Sequence, residues 1–392
     1  MNLEDVKRFT CDLIESKKDN LKNLSYEIWN NPETAFEEFK CHEIITLFLE
    51  KSGFHVQKKH PLTTSFIAES IIGKSGPVVG ICCEYDALPG IGHGCGHNLI
   101  AECAVGAGLA VKEAIRKYGL AGKVIIFGTP AEEAGGGKVE MLKAQVFEGC
   151  DVCIMAHPAL YDLPDPIMVA VSQFKIAFKG KPAHAAAAPW EGQNALDAAV
   201  QCYCNISMLR QQIKPTSRVH AIISKGGTVP NIIPELAELF IFVRSVTDKE
   251  MWDLKERVVS CGNGAATSTG CTLEITEVAE YNALKTNETL MNLFIKNSEN
   301  LGVDFNYTGS KQGGSTDMGN VSVALPSIHP KFKVDSKTNI HTAGFTDAAI
   351  LDENQIPTLR VAKSLAMTAI DVLASDSHIL EQIKKDFIDE DK

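Results

Sequence analysis

Val78-Val79-Gly80-Ile81-Cys82-Cys83, followed by Glu84-Tyr85-Asp86-Ala87-Leu88-Pro89-Gly90, is the stretch on which the reading of this chain turns. The first six residues form a short apolar run, and the run leads into the turn-like Ala87-Leu88-Pro89-Gly90. That combination predicts a buried strand. Two runs of the same kind follow, Lys123 to Gly128 and Asp151 to Ala156. An alanine-rich helical stretch, Leu99 to Tyr118, lies between the first two, and residues ~16–30 and ~38–52 before them carry helical patterns. Strands separated by helices predict a mostly parallel α/β sheet. Ligands of such sheets collect at the carboxyl ends of the strands.

Around Met168 the pattern changes. Val169 to Phe178 reads as a long strand, Asn194 to Ile213 as a helix, and Val219 to Ser224 and Glu235 to Ser245 as strands. Lys249 to Ser260 then reads as a helix and Thr272 to Glu280 as a strand. The order β-α-β-β-α-β is the ferredoxin-like split motif. After about Asn282 helices and short strands return, ending in a helix across Val361 to Leu373. The expected architecture is a discontinuous catalytic α/β domain, residues 1–167 and 282–392, interrupted by a ferredoxin-like domain, residues 168–281. Its sheet is expected to be mixed and mostly parallel, with helices on both faces.

Composition narrows the function. A chain of 392 residues, 45% hydrophobic and 22% charged, is long enough for two domains and has ordinary globular content. Only the charged tail after Lys384 reads as disordered. The net charge of -11 argues against nonspecific nucleic-acid binding and against anionic membranes. No apolar stretch reaches the ~20 residues of a membrane helix. The opening Met1-Asn2-Leu3-Glu4-Asp5-Val6-Lys7-Arg8 lacks the apolar run of a signal peptide, so a cytoplasmic location is expected. The twelve cysteines are scattered through apolar segments, the pattern of buried free thiols.

Three clusters fall at the ends of the three buried strands. Gly92-His93-Gly94-Cys95-Gly96-His97-Asn98 precedes a helix. Its glycines allow backbone to approach an ion, and Cys95 and His97 offer a thiolate and an imidazole, which suit zinc and other transition metals. The competing reading is a glycine turn around a core thiol. Next comes Gly128-Thr129-Pro130-Ala131-Glu132-Glu133-Ala134-Gly135-Gly136-Gly137. Adjacent carboxylates at a buried strand end are costly unless a cation is near. In a metal hydrolase one can bind metal while its neighbour takes the proton of the attacking water. The following lysine does not make a phosphate loop, because the G-x-x-x-x-G-K spacing and the Ser or Thr are missing. His157-Pro158 is the third cluster, where a lone histidine could equally be structural.

These residues resemble the metallopeptidase family of bacterial glutamate carboxypeptidases, aminoacylases and amino-acid amidohydrolases. The likeness runs nearly end to end and is strongest to the branch with a Cys-Gly-His loop. It rests on Asp86-Ala87-Leu88-Pro89, Gly94-Cys95-Gly96-His97, Glu132-Glu133 and the block from Gly180 to Leu196. The resemblance implies two divalent metal ions, zinc or manganese, with Cys95 bridging them and His97, Glu133 and His157 as further ligands. It implies Glu132 as general base and a last ligand from a C-terminal histidine. His341, in Asn339-Ile340-His341-Thr342-Ala343-Gly344-Phe345, fits that place better than His329, in Ile328-His329-Pro330-Lys331-Phe332. The chain departs from the wider family at Glu84-Tyr85-Asp86, where most branches have His-x-Asp, so the usual first histidine ligand is absent. Asp86 then reads as a catalytic-site carboxylate that orients a ligand.

In the inserted segment the resemblance implies a lid and dimerisation domain, and so a homodimer. His184, in Gly180-Lys181-Pro182-Ala183-His184-Ala185-Ala186, would reach a neighbouring subunit's site and stabilise the oxyanion. Asn231, Arg244, Gly313 and Gly314 would hold the substrate, with the Arg244 fork suited to a free carboxylate. The expected reaction is hydrolysis of the amide bond of a small dipeptide or N-acyl amino acid. The branch's β-alanyl dipeptidases point to lysine or ornithine on the leaving side. The alternatives are an N-acyl amino acid or aminobenzoyl-glutamate amidohydrolase and, from another class, a metal-binding scaffold or regulatory protein without catalysis.

Overall fold

A computed structural model of the chain describes residues 2–70, 74–305, 314–374 and 377–389. Along the chain the strands are β1 (His55–Lys58), β2 (Phe66–Glu69), β3 (Lys74–Cys83), β4 (Ala121–Gly128), β5 (Val152–Ile154) and β6 (His157–Ala159). Next come β7 (Ala170–Lys179), β8 (Arg218–Lys225), β9 (Leu236–Ser245), β10 (Thr272–Tyr281), β11 (Ser327–Ile328) and β12 (Lys331–Lys333). The chain divides into two compact units. The first is Met1–Ile167, Leu284–Gly313 and Asp317–Lys392, and the second is Met168–Ala283 with Gly314–Thr316.

The first unit is built on a six-stranded sheet of order β1-β2-β4-β3-β5-β11. The pairs β3/β4, β3/β5 and β5/β11 are parallel, whereas β1/β2 and β2/β4 are antiparallel. The sheet is therefore mixed, with a parallel centre as the apolar runs predict. Alternation explains why the buried positions of those runs are apolar. Val79, Ile81 and Cys83 of β3, Val124 and Ile126 of β4, and Val152 and Ile154 of β5 enter one core. Helices His97–Tyr118 and Gln355–Ala374 fill that side. Cys82, Ile125, Phe127 and Cys153 point the other way and pack with Met141, Phe147, Met318 and Val321. With both faces buried, both alternating sets of positions are apolar along the buried length of each strand. The long helix packs closely on β4: a Cβ at Gly108 would lie 2.4 Å from Ile126 Cδ1.

The second unit is a four-stranded antiparallel sheet, β10-β7-β9-β8, with helices Ala195–Leu209 and Asp248–Thr269 packed on one face. This is the β-α-β-β-α-β order read from the sequence. Gly314–Thr316 joins this unit from far down the chain because Val169 N–H donates to Gly314 O (3.0 Å) and Arg244 Nη1 donates to Ser315 Oγ (2.7 Å).

Several elements differ from expectation. The pattern over 16–30 forms helix Lys18–Trp29, and a further helix that was not expected, Leu3–Ser16, precedes it. Strands β1 and β2 were not expected; β1, at the edge of the sheet, is largely exposed and carries little apolar signal. The tail expected to be disordered after Lys384 continues as helix Ser377–Asp389, whose Phe387 carbonyl accepts from Lys285 Nζ at 2.7 Å. No helix among the described residues is long and apolar enough to cross a membrane.

Candidate metal centre

The strand ends of the first unit converge as parallel α/β topology requires. β3 leads into Glu84–Asp86, β4 into Thr129–Glu133, and His157 opens β6 just after β5. The glycine loop supplies the remaining elements. Gly96 stands in the left-handed region (φ 79°) at the start of the long helix, and a Cβ there would lie 2.7 Å from Pro158 Cγ. Only glycine lets Cys95 and His97 flank so close an approach. His341 is itself left-handed (φ 65°), an unfavourable backbone for histidine, and its N–H donates to Gly94 O at 2.7 Å. The C-terminal segment is thereby hung on the glycine loop.

Side chains from all these segments meet. Cys95 Sγ lies 3.3 Å from His157 Nε2 and 3.3 Å from His341 Nε2. His157 Nδ1 lies 2.7 Å from its neighbour Pro158 O, so its proton is fixed there and Nε2 is left as the ligand nitrogen. Asp86 does two things at once. Its Oδ1 takes His97 Nδ1 at 2.9 Å and its Oδ2 accepts Glu133 N–H at 3.0 Å. His97 Nε2 therefore points away from Asp86, 3.5 Å from Glu84 Oε2 and 3.8 Å from Glu133 Oε1. Glu133 Oε1 is also 3.4 Å from His341 Nε2.

The donor atoms fit two cations. Cys95, His97 and His157 form one group, Cys95, Glu133 and His341 a second, and His97, Glu132 and Glu133 a third, each with ligand atoms within 4.8 Å of one another. Cys95 belongs to the first two, the position of a bridge. His97 Nε2 and Glu133 Oε1 are buried without hydrogen-bond partners among the described residues, a costly state that a cation relieves. Sulfur, imidazole and carboxylate together suit a divalent first-row ion.

The electrostatics agree with that chemistry. Burial pushes the Cys95 thiol up, as does the Glu133 carboxylate, so a cation binding there must displace a proton. Burial lowers His157 to about 3, keeping it neutral and ready to ligate. Burial also raises Glu132 well above the usual carboxylate range, reinforced by Glu84, Glu133 and Asp317. A carboxylate made more basic in this way is suited to accept a proton.

The remaining expected residues fall as follows. His329 is buried 5.6 Å, centroid to centroid, from the His157 ring and joins none of the ligand groups formed by the described residues. In the second unit, His184 Nδ1 accepts N–H from Ala186 and Ala187 at 3.2 Å each, which leaves its exposed Nε2 as the donor. The Asn231 segment pairs with it, since Ala185 N–H donates to Asn231 O at 3.0 Å. Arg244 is held by Ser315 and has no carboxylate in ion-pair contact among the described residues. Gly314 precedes Ser315 in the chain, and Gly313 lies outside the described residues.

Three contributors escape a reading by motif. Glu38 Oε1 accepts N–H from Phe36 (3.0 Å) and from Ala131 (2.9 Å). The second bond holds Ala131 in a left-handed conformation (φ 58°) immediately before Glu132. Lys138 is fully buried between Glu84 Oε1 and Asp317 Oδ1, 2.5 Å from each. The sequence signal was present in the lysine after the glycine run, but it served an internal ion pair rather than a phosphate.

The chain is similar to known peptidases. Residues 170–266 match the peptidase dimerisation domain. The chain is 43% identical to the Xaa-Arg dipeptidase of Mus musculus, over 98% of this chain and 93% of that protein. It is 34% identical to a p-aminobenzoyl-glutamate hydrolase chain of Escherichia coli, over 74% of this chain and 64% of that protein. A dinuclear metal binding peptidase of the M20 family from Bacillus subtilis superposes with a TM-score of 0.73 at 24% identity, covering 92% of this chain and all of that one. With a relative this similar across nearly its full length, the chain belongs to the M20 family of metallopeptidases.

Proposed function

We propose that the protein is a two-metal dipeptidase that cleaves small dipeptides ending in a free carboxylate, with a basic residue, arginine, lysine or ornithine, on the leaving side. The observation that carries the reading is Cys95, shared between two ligand groups beside a Glu132-Glu133 pair. The similarity to the mouse Xaa-Arg dipeptidase supports a basic leaving residue. Cys95, His97, Glu133, His157 and His341 would hold two divalent ions, zinc or manganese. Such ions supply Lewis acidity, polarising the scissile carbonyl and activating water near neutral pH.

The protein's own groups do the rest. Glu132 takes the proton of the attacking water and passes it to the leaving nitrogen. Asp86 fixes the tautomer of His97 and the position of Glu133. Arg244, Asn231, Gly313 and Gly314 grip the substrate carboxylate, and His184 donates to the oxyanion in a homodimer formed through the inserted domain. Twelve free thiols support a reducing, cytoplasmic setting. A non-catalytic scaffold would need ligands but no adjacent base, and Glu132 is such a base.

The test is a hydrolysis screen over Xaa-Arg, Xaa-Lys and Xaa-Orn dipeptides, β-alanyl forms included, with N-acyl amino acids and p-aminobenzoyl-glutamate alongside and zinc, manganese or cobalt supplied. Preferred cleavage of the basic dipeptides is expected. A folded, metal-loaded protein that cleaves none of these amides would defeat the proposal. Preference for p-aminobenzoyl-glutamate would move it to the amidohydrolases.

A further inference from the structure

A cavity of about 250 Å³ lies within the first unit, and no residue of the metal-ligand groups lines it among the described residues. Helix Glu288–Glu299 contributes Phe294 and Ser298, four residues apart and so on one face. Helix Gln355–Ala374 contributes Arg360 and Val361. Strand β12 contributes Lys331 and Phe332, and the segment after β6 contributes Asp162. The walls are strongly apolar in part. Phe294, Phe332 and Val361 are buried, and the rings of Phe294 and Phe305 lie 6.3 Å apart, centroid to centroid. Walls of this kind receive the apolar body of a small ligand, and a few polar groups set its orientation.

The polar groups of the cavity do not satisfy one another. Lys331 and Arg360 are half-buried, and neither side chain has an ion pair or a hydrogen bond among the described residues. Lys331 Nζ stands 6.0 Å from the centroid of the Tyr161 ring, and burial pulls its pKa down. Asp162 is half-buried as well and has no ion pair among the described residues. Its Oδ1 accepts Lys333 N–H at 2.9 Å, yet burial holds its carboxyl above the usual range although Arg360 and Lys333 draw it down. The Ser298 hydroxyl is buried without a hydrogen-bond partner among the described residues, a costly state. Lys333, Asp335 and Glu353 complete the charged lining, but they are exposed, and water and salt screen them. Two cations and one acid are thus partly desolvated with no partner of opposite sign in contact, which complementary charges on a ligand relieve. A plain carboxylate answers the cations and leaves Asp162, whereas a zwitterion answers all three.

We propose that this cavity binds a free α-amino acid with an apolar side chain, its carboxylate on Arg360 and Lys331, its ammonium on Asp162 and its side chain against Phe294 and Phe332. One small molecule then supplies a charge of each sign and an apolar body. The guanidinium fork and the carboxylate of Asp162 give the two charge-assisted contacts, which fix the orientation of the ligand. The site is separate from the metal centre, and the inference does not depend on the dipeptidase reading. Strand β12 nevertheless joins the two places, because Lys331 pairs in register with His157.

The experiment is calorimetric titration of the full-length protein with L-leucine, L-methionine and L-phenylalanine, and with two analogues of leucine. These are 4-methylpentanoate, which lacks the ammonium, and 3-methylbutylamine, which lacks the carboxylate. The proteins are wild type, R360M, D162N and R244A. At least one of the amino acids should bind wild type and R244A alike. R360M and D162N should each raise its Kd roughly tenfold or more, the loss of one charge-assisted bond. If leucine binds, both of its analogues should bind wild type roughly tenfold or more weakly than leucine does. D162N should then cost 4-methylpentanoate nothing further, because the group that meets Asp162 is already gone. Neither R360M nor D162N breaks an ion pair among the described residues, so both should melt near the wild-type temperature, and if one fails to fold the other decides. Equal binding by wild type and the folded variants overturns the inference, as does no binding of any of the three amino acids at about 10 mM. Binding that vanishes in R244A and persists in R360M overturns it too, because the amino acid then occupies the substrate site. 4-Methylpentanoate binding as tightly as leucine would make the cavity a carboxylate site and equally defeat the assignment.

Discussion

Replacing Asp86 with asparagine isolates the atom that organises the site. Asp86 is buried, and its two oxygens serve different donors, His97 Nδ1–H at 2.9 Å and Glu133 N–H at 3.0 Å. Asparagine keeps the size but has one acceptor, so its NH2 must face one of the two donors. If it faces Glu133, the loop carrying two ligand-site carboxylates is pushed off. If it faces His97, the imidazole moves its proton to Nε2, the nitrogen of the ligand group. Either way one hydrogen bond to a charged group is lost, about 1.5–3 kcal/mol. At 1.4 kcal/mol per decade, metal affinity should fall roughly 10- to 150-fold. Chelator competition gives the affinity, and melting of the chelator-treated protein checks the fold. Metal affinity within about threefold of wild type, less than 1 kcal/mol, would refute the orienting role. Lower stability of the chelator-treated protein with unchanged affinity would show that Asp86 tethers the Glu133 loop and nothing more.

Glu132→Gln should keep its metal content but lose ~10²–10⁴-fold in turnover, mostly in kcat; loss of metal instead would mean that Glu132 is the ligand and Glu133 the base. His341→Ala should lower metal content because its Nε2 lies beside Cys95 and Glu133, while His329→Ala should leave it intact; metal analysis of both would expose a reversed assignment. Arg244→Ala should cost about 1.5–3 kcal/mol in kcat/KM, and so should amidating the substrate carboxylate. The two losses should not add, and additive losses would place Arg244 elsewhere. Glu102, fully buried in the long helix, has its pKa raised by burial from 4.5 to about 7. Between those values the folded state holds a proton that the unfolded state has released, so this group lowers stability as pH rises from 4.5 to about 7 and no further. Glu102→Gln should therefore stabilise the protein at pH 8 by up to about 3 kcal/mol and hardly at all near pH 4. Equal effects at both pH values in denaturant melts would contradict this.

Glu38, Lys138 and Asp317 show where reading the sequence stopped. Each is an ordinary charged residue whose importance depends on a partner far along the chain: Ala131 for Glu38, and Glu84 with Asp317 for Lys138. No local period or spacing marks such pairs. The departure at Glu84-Tyr85-Asp86 was visible as a missing histidine. What fills the gap, a carboxylate tied to a buried lysine, needed the fold.

Whatever local chemistry encodes was legible along the chain. Apolar runs specified strands buried on two faces, the switch at Met168 specified the inserted β-α-β-β-α-β unit, and the Cys-Gly-His and Glu-Glu motifs marked two strand ends as candidate ion sites. These are properties of neighbouring residues, and backbone geometry turns them directly into elements. The choice between two histidines needed the folded chain. His341 and His329 are both local candidates, and the hydrogen bond from His341 N–H to Gly94 O is what brings one of them to the Cys95 sulfur. The place of Gly314–Thr316 with the inserted unit likewise emerged only on folding. Contacts of this kind join positions separated by tens to hundreds of residues. Their energy depends on distances that exist only once the chain has folded.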